Sequence, residues 1–264
     1  MAPKHRKSSR SKSPAAPVGA SAAALTAVLC VAYVACESLL PLFGPTMLAL
    51  SDSASVPKTE LAVLPSASAV GSVAGGLLAG VIFDAVPFRG LGSDLVRANF
   101  VLVVMMVLQA AFNALLPSAT TLPAMTGLAL ALGATNGLFR AGSNCLVLRL
   151  HGAGAAPHMQ ALHLFGGFGR IIGPGCASVF LTGSSDYARG LQQAYWAASA
   201  LPLLAAAVLA GYSLVGGVAS IASPSEASGG SSAAKKQPAS GASAAYFTSN
   251  GRFFAMFSPK TGVF

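Results

Sequence analysis

The sequence predicts an all-α membrane protein with six transmembrane helices. Three observations carry that reading. Only 9% of its residues are charged and 54% are hydrophobic, with a mean hydropathy of +0.67, whereas a soluble domain carries about 25% charged residues. Apolar runs long enough to cross a bilayer, which takes about 20 residues, recur along the chain between short polar turns. The Lys and Arg residues gather in alternate turns, as a positive-inside bias requires.

Residues 1–18 form a basic Ser/Pro-rich leader that holds five of the sixteen Lys/Arg and no acid. No short apolar region with a small-residue cleavage site stands apart from the first span, so the leader is expected to be a disordered cytoplasmic tail. The transmembrane domain covers 19–216, with segments at about 20–50, 60–84, 97–117, 121–150, 157–183 and 191–216. With the leader inside, twelve basic residues fall on its side of the membrane and only Lys58 and Arg189 on the other. Both termini are therefore expected in the cytoplasm. Tyr187, Tyr195 and Trp196 are expected at the outer interface, where amphipathic rings are favoured. Residues 217–264 are rich in Ser, Gly and Ala and carry Lys235 and Lys236. They read as a disordered cytoplasmic linker or tail.

Glycine is placed with a helical period. Gly71, Gly75, Gly76 and Gly80 give two G-x-x-x-G spacings in the second segment, and Gly169 and Gly173 give another in the fifth. Small residues four apart let helix backbones approach closely in lipid. Packing seams are the expected role, compatible with hinges between rocking helices.

Several function classes are excluded by pattern. The net charge of +9 sits in the leader and the turns, without the basic, aromatic-interleaved stripe that reads nucleic acid. Cys30, Cys36, Cys145 and Cys176 lie in apolar segments without C-x-x-C spacing, so neither a disulfide framework nor a metal site follows. His151, His158 and His163 lack metal-ligand spacing with a carboxylate. Ser143 has no histidine in the sixth segment to act as its base, and no Gly-rich loop ends in Lys-Ser/Thr. No enzyme, metal or cofactor is expected.

What remains is a polar constellation inside the spans. Glu37 lies mid-way along the first segment, and Arg140 and Arg170 mid-way along the fourth and fifth. An ionisable group at that depth costs roughly 2.5–3.5 kcal/mol on insertion scales and faces protein or a watery space. Asn136, Arg140 and Asn144 follow at i, i+4 and i+8, on one helix face. Glu37, Pro41 and Gly44 are expected to share a face too. Gln160 and His163 lie at i, i+3, with Arg170 seven residues beyond His163. One account has Glu37 neutralising one arginine and carbonyls satisfying the other. The other is a hydrated site with a surplus positive charge, lined by Glu37, Asn136, Arg140, Asn144, Gln160, His163 and Arg170. Guanidinium groups suit carboxylate and phosphate geometry.

These residues resemble the amino-terminal half of a major facilitator superfamily transporter, in the sodium-dependent glucose transporter-like branch. Similar are FGPTMLAL at the end of the first segment and GGLLAGVIFDAVPFRG at the end of the second, with Gly80, Asp84 and Arg89 on the superfamily's loop motif. Also similar are Gly142 and Asn144, then Met159, Gln160, Leu162, His163, Gly167, Gly169 and Pro174. The resemblance covers about residues 22–216. It implies a six-helix half that encloses a solute against a second half by alternating access, with Asp84 and Arg89 in a cytoplasmic gate. Ala85 replaces the usual basic residue after the aspartate. Arg140 stands where the branch usually has an acid, and Arg170 where it has a small residue. Both changes add positive charge and tilt the expected solute from neutral hexose toward an organic anion.

The reading is therefore secondary transport of a small polar solute such as a sugar or organic anion. The partners expected are the lipid bilayer, that solute, and a second six-helix half or a second copy of this chain. The alternative is a truncated, non-transporting membrane protein or an adaptor that binds a full-length transporter. A six-span carrier built on threefold repeats is not favoured, since no repeat with Pro-x-Asp/Glu turns is present.

Overall fold

The computed structural model describes residues 18–85, 91–184 and 186–215. Most of the leader, the linker and Arg89 lie outside the described residues, as does the side chain of Asp84. Among the described residues every element is helical: α1 (Val18–Glu37), α2 (Phe43–Ala54), the single turn α3 (Lys58–Leu61), α4 (Val63–Ala85), α5 (Leu91–Leu115), α6 (Leu122–His151), α7 (Ala155–Gly183) and α8 (Tyr187–Leu214). By length and composition, five apolar stretches are long enough to cross a membrane. The fourth of these, Leu122–Gly183, runs through both α6 and α7. At 1.5 Å per residue its 62 residues would extend about 90 Å if straight, three times a hydrocarbon core. The 3-10 turn Gly152–Gly154 divides it, with Gly152 at φ 52°, a conformation that costs glycine nothing. The chain is an integral, multi-pass membrane protein.

The first apolar segment is not one continuous helix. It unwinds after Glu37, passes through the 3-10 turn Leu40–Leu42, and resumes as α2. Pro41 is the cause. It has no N–H to offer the carbonyl of Glu37, and its ring clashes with a continuing turn. Backbone acceptors at the break are met both locally and from elsewhere: the Cys36 carbonyl accepts the Leu39 N–H at 3.4 Å and Nε2 of Gln109 at 3.1 Å, and Ser38 Oγ donates to the Ala35 carbonyl at 2.7 Å. The expectation that Glu37, Pro41 and Gly44 share a helix face is therefore corrected, because helical phase is lost at the break. Gly44 faces open space.

Helix pairs pack through glycine. A Cβ on Gly71 or Gly75 of α4 would run into the carbonyls of Leu130 and Ala134 in α6. In return, one on Gly133 or Gly137 of α6 would strike those of Ser68 and Ser72 in α4. The seam is reciprocal. Gly169 and Gly173 of α7 lie in the same manner on Val34 and Ser38 of the first segment. The remaining core is aliphatic and aromatic, with Leu25, Leu29, Tyr33, Phe83, Leu102 and Phe139 fully buried around α1.

A polar lock joins the other half of the bundle. Asn113 Nδ2 of α5 donates to the Tyr195 carbonyl and to Ser199 Oγ of α8, and the Tyr195 hydroxyl meets Thr46 Oγ1 of α2 at 2.9 Å. Tyr195 is thus a core residue, not the interfacial ring expected from its position. Tyr187 and Trp196 are exposed. Adjacent helix positions point about 100° apart, so Trp196 faces outward while Tyr195 turns in.

Candidate functional site

The three mid-span charges come together where the first segment breaks. Glu37, the last residue of α1, is 2% exposed. Arg170 of α7 donates from both Nε and Nη2 to Glu37 Oε2, at 2.9 and 2.7 Å. Arg140 of α6 approaches from the other side, with Nε 3.3 Å from Oε1, and that buried oxygen accepts no hydrogen bond. One carboxylate therefore faces two guanidinium groups. The account in which Glu37 neutralises a single arginine gives way to a shared ion triad of net positive charge. Its burial is lopsided: the Arg140 and Arg170 side chains are 37% and 55% exposed, while the acid is sealed beneath them.

Local sequence explains the approach. Gly166, one turn before Arg170, packs on Tyr33 and Glu37, and a Cβ there would sit 3.2–3.3 Å from both side chains. Gly169 and Gly173 bring α7 onto the first segment, so the Arg170 stem reaches Glu37 without spanning a gap. Tyr33 lies one turn before Glu37 on the same face. Its hydroxyl is 2.8 Å from Asn144 Oδ1 and 3.2 Å from the Arg140 carbonyl, so it ties the Arg140 turn of α6 to α1. His163 stands edge-on to the Tyr33 ring at 6.3 Å between centroids.

Of the seven residues singled out from sequence, Glu37, Arg140 and Arg170 form the ion triad. Asn144 and His163 adjoin it through Tyr33. Gln160 is exposed on α7, one turn from His163. Asn136 is fully buried, with neither side-chain atom hydrogen-bonded, and is not open to the exterior as the arginines are. Of the gate pair, Asp84 lies at the end of α4 and Arg89 outside the described residues.

Two positioning residues were missed. Tyr33 precedes Glu37 by four residues, and that spacing was the available signal. Gln109 is a polar residue inside the run VLVVMMVLQAAF, and its polarity alone marks it as having a partner in an apolar helix.

No protein-family profile matches the chain. Part of the chain is similar to a sugar transporter. Over 143 residues it is 28% identical to sodium-dependent glucose transporter 1A of Mus musculus, a match covering 54% of this chain and 31% of that protein. The chain thus aligns with about a third of the length of the curated relative. That relative is named as a transporter rather than an enzyme.

Proposed function

We propose that this chain is a six-helix half of a major facilitator-type secondary transporter, moving a small polar solute such as a sugar or organic anion by alternating access. The observation that carries the proposal is the ion triad. Two arginines stand open near the middle of long apolar helices, where hydrocarbon would penalise each by roughly 2.5–3.5 kcal/mol. A face of that kind belongs against a second helical unit with a watery space between. In this reading α6 and α7 cross separately, so the membrane is traversed six times. Both termini are cytoplasmic, Asp84 and Arg89 serve the gate, and Glu37, Arg140, Asn144, Gln160, His163 and Arg170 line the solute path, with Asn136 behind them. The second unit is either another part of the same polypeptide or a second copy. The partial alignment with a glucose transporter supports the class of function.

A non-transporting bundle that stands alone requires the charges to cancel within it, and among the described residues the arginines share one carboxylate; an adaptor that binds a full-length transporter keeps the face open but moves no solute. The test is uptake of a labelled solute panel into liposomes holding the native protein with whatever it co-purifies. Saturable, counterflow-competent uptake of at least one small polar solute, reduced tenfold or more by Arg140→Gln, is expected. Leak-level flux for every member of the panel would exclude transport.

A further inference from the structure

We propose that the solute held at this site is a small monovalent carboxylate, gripped by Arg140 while Arg170 acts as the clasp on Glu37. The inference rests on the transporter reading and narrows it. A neutral sugar presents hydroxyls that both donate and accept, so a sugar site offers acceptors as well as donors. Here the acid is removed from reach. Glu37 is 2% exposed, its Oε2 is filled by two hydrogen bonds from Arg170, and its Oε1 is buried behind the Arg140 Nε. Tyr33 occupies Asn144 Oδ1, leaving the amide nitrogen of Asn144 as the part available to a ligand. Around the sealed acid, what opens outward is the two guanidinium groups and the Asn144 amide, all donors; Gln160 and His163, exposed farther along α7, can accept as well as donate.

The two arginines are not equivalent. Arg170 spends Nε and Nη2 on the carboxylate and is fixed by them. Arg140 makes a 3.3 Å ion pair through Nε without a hydrogen bond to Glu37 Oε1, and both of its Nη groups are uncommitted among the described residues. A planar fork of free N–H groups is the geometry that receives a carboxylate in two-pronged fashion. Two cations against one buried anion leave one positive charge, which a single carboxylate balances. A divalent phosphate would leave the site negative.

The test compares four solutes on the native protein in lipid nanodiscs and in liposomes: lactate, gluconate, glucose and glucosamine. Gluconate and glucose share six carbons and most of their hydroxyls; gluconate carries a C1 carboxylate on an open chain where glucose closes a hemiacetal ring. Lactate and gluconate are expected to raise the melting temperature saturably and to be taken up, with glucose and glucosamine doing neither. Arg140→Gln is expected to weaken lactate binding tenfold or more. Arg140→Lys, which keeps charge but not the fork, retains melting and loses part of the affinity, so the prediction survives if the glutamine variant fails to fold. Glucose uptake that lactate and gluconate leave unchanged overturns the carboxylate assignment and leaves the transport reading standing. Carboxylate binding without uptake of any solute supports the assignment and overturns transport. Absence of binding by both carboxylates overturns the assignment whatever the uptake.

Discussion

Glu37 is the one carboxylate on which the Arg140 and Arg170 guanidinium groups both depend among the described residues. Removing one partner of a buried pair costs about 3–5 kcal/mol, and the partial exposure of both arginines screens that to roughly 1–3 kcal/mol here. Glu37→Gln should therefore lower the melting temperature in mild detergent, and adding Arg170→Gln should recover part of the loss. A Glu37→Gln protein that melts with the parent would show that the triad contributes nothing to stability. Tyr33 acts through its hydroxyl, which ties the Arg140 turn and Asn144 to α1. Tyr33→Phe keeps the ring contacts with Phe139 and His163 and loses about 1 kcal/mol. The same melting experiment, run as a double cycle with Asn144→Leu, should show the two losses to be non-additive.

Between helices the decisive groups are backbone atoms. On the α4–α6 seam, Gly133→Ala places a methyl against the Ser68 carbonyl, and the helices must part to admit it. Overpacking costs about 1–3 kcal/mol. A methyl added at Gly76 would meet nothing within contact distance, so Gly76→Ala should instead gain up to about 1 kcal/mol from helix propensity. Melting curves of the two variants should move in opposite directions; equal shifts would mean the seam is not closely packed. The break after Glu37 depends on a second element. Gln109 of α5 supplies the shorter of the two hydrogen bonds to the Cys36 carbonyl, the other coming from the Leu39 N–H at 3.4 Å, and Gln109→Leu loses that inter-helix bond at about 0.5–1.5 kcal/mol. Faster amide exchange confined to the Leu39–Leu42 break is the expected signature, and exchange unchanged there would show the carbonyl to be satisfied by other means.

For the whole molecule, the open arginine face is expected to govern association. Lipid cannot cover two half-exposed guanidinium groups near mid-span at low cost, so the native protein should leave the membrane in mild detergent with a second helical unit over that face. Light scattering or native mass spectrometry should find a protein mass well above the 26.2 kDa of this chain. A 26.2 kDa particle that stays folded and monodisperse would mean that the face is self-sufficient.

Helical class, segment positions and the membrane setting were legible in the sequence, because each depends on local composition summed over about 20 residues. The run from 121 to 150 and the helix Leu122–His151 differ by a residue at either end. The glycine spacings in the second and fifth segments also pointed to seams, since a helix places residues four apart on one face. Tertiary structure alone decided the rest. That Gly133 and Gly137 answer Gly71 and Gly75, that Tyr195 faces inward, and that Pro41 breaks the first span are outcomes of which helices meet and how. The same holds for the site. Sequence placed one acid and two arginines at a common depth; it could not say that a single carboxylate serves both while remaining sealed. Burial of Glu37 and exposure of Arg140 and Arg170 depend on side chains 103 and 133 positions from the acid in the chain, and only packing brings such distances to about 3 Å.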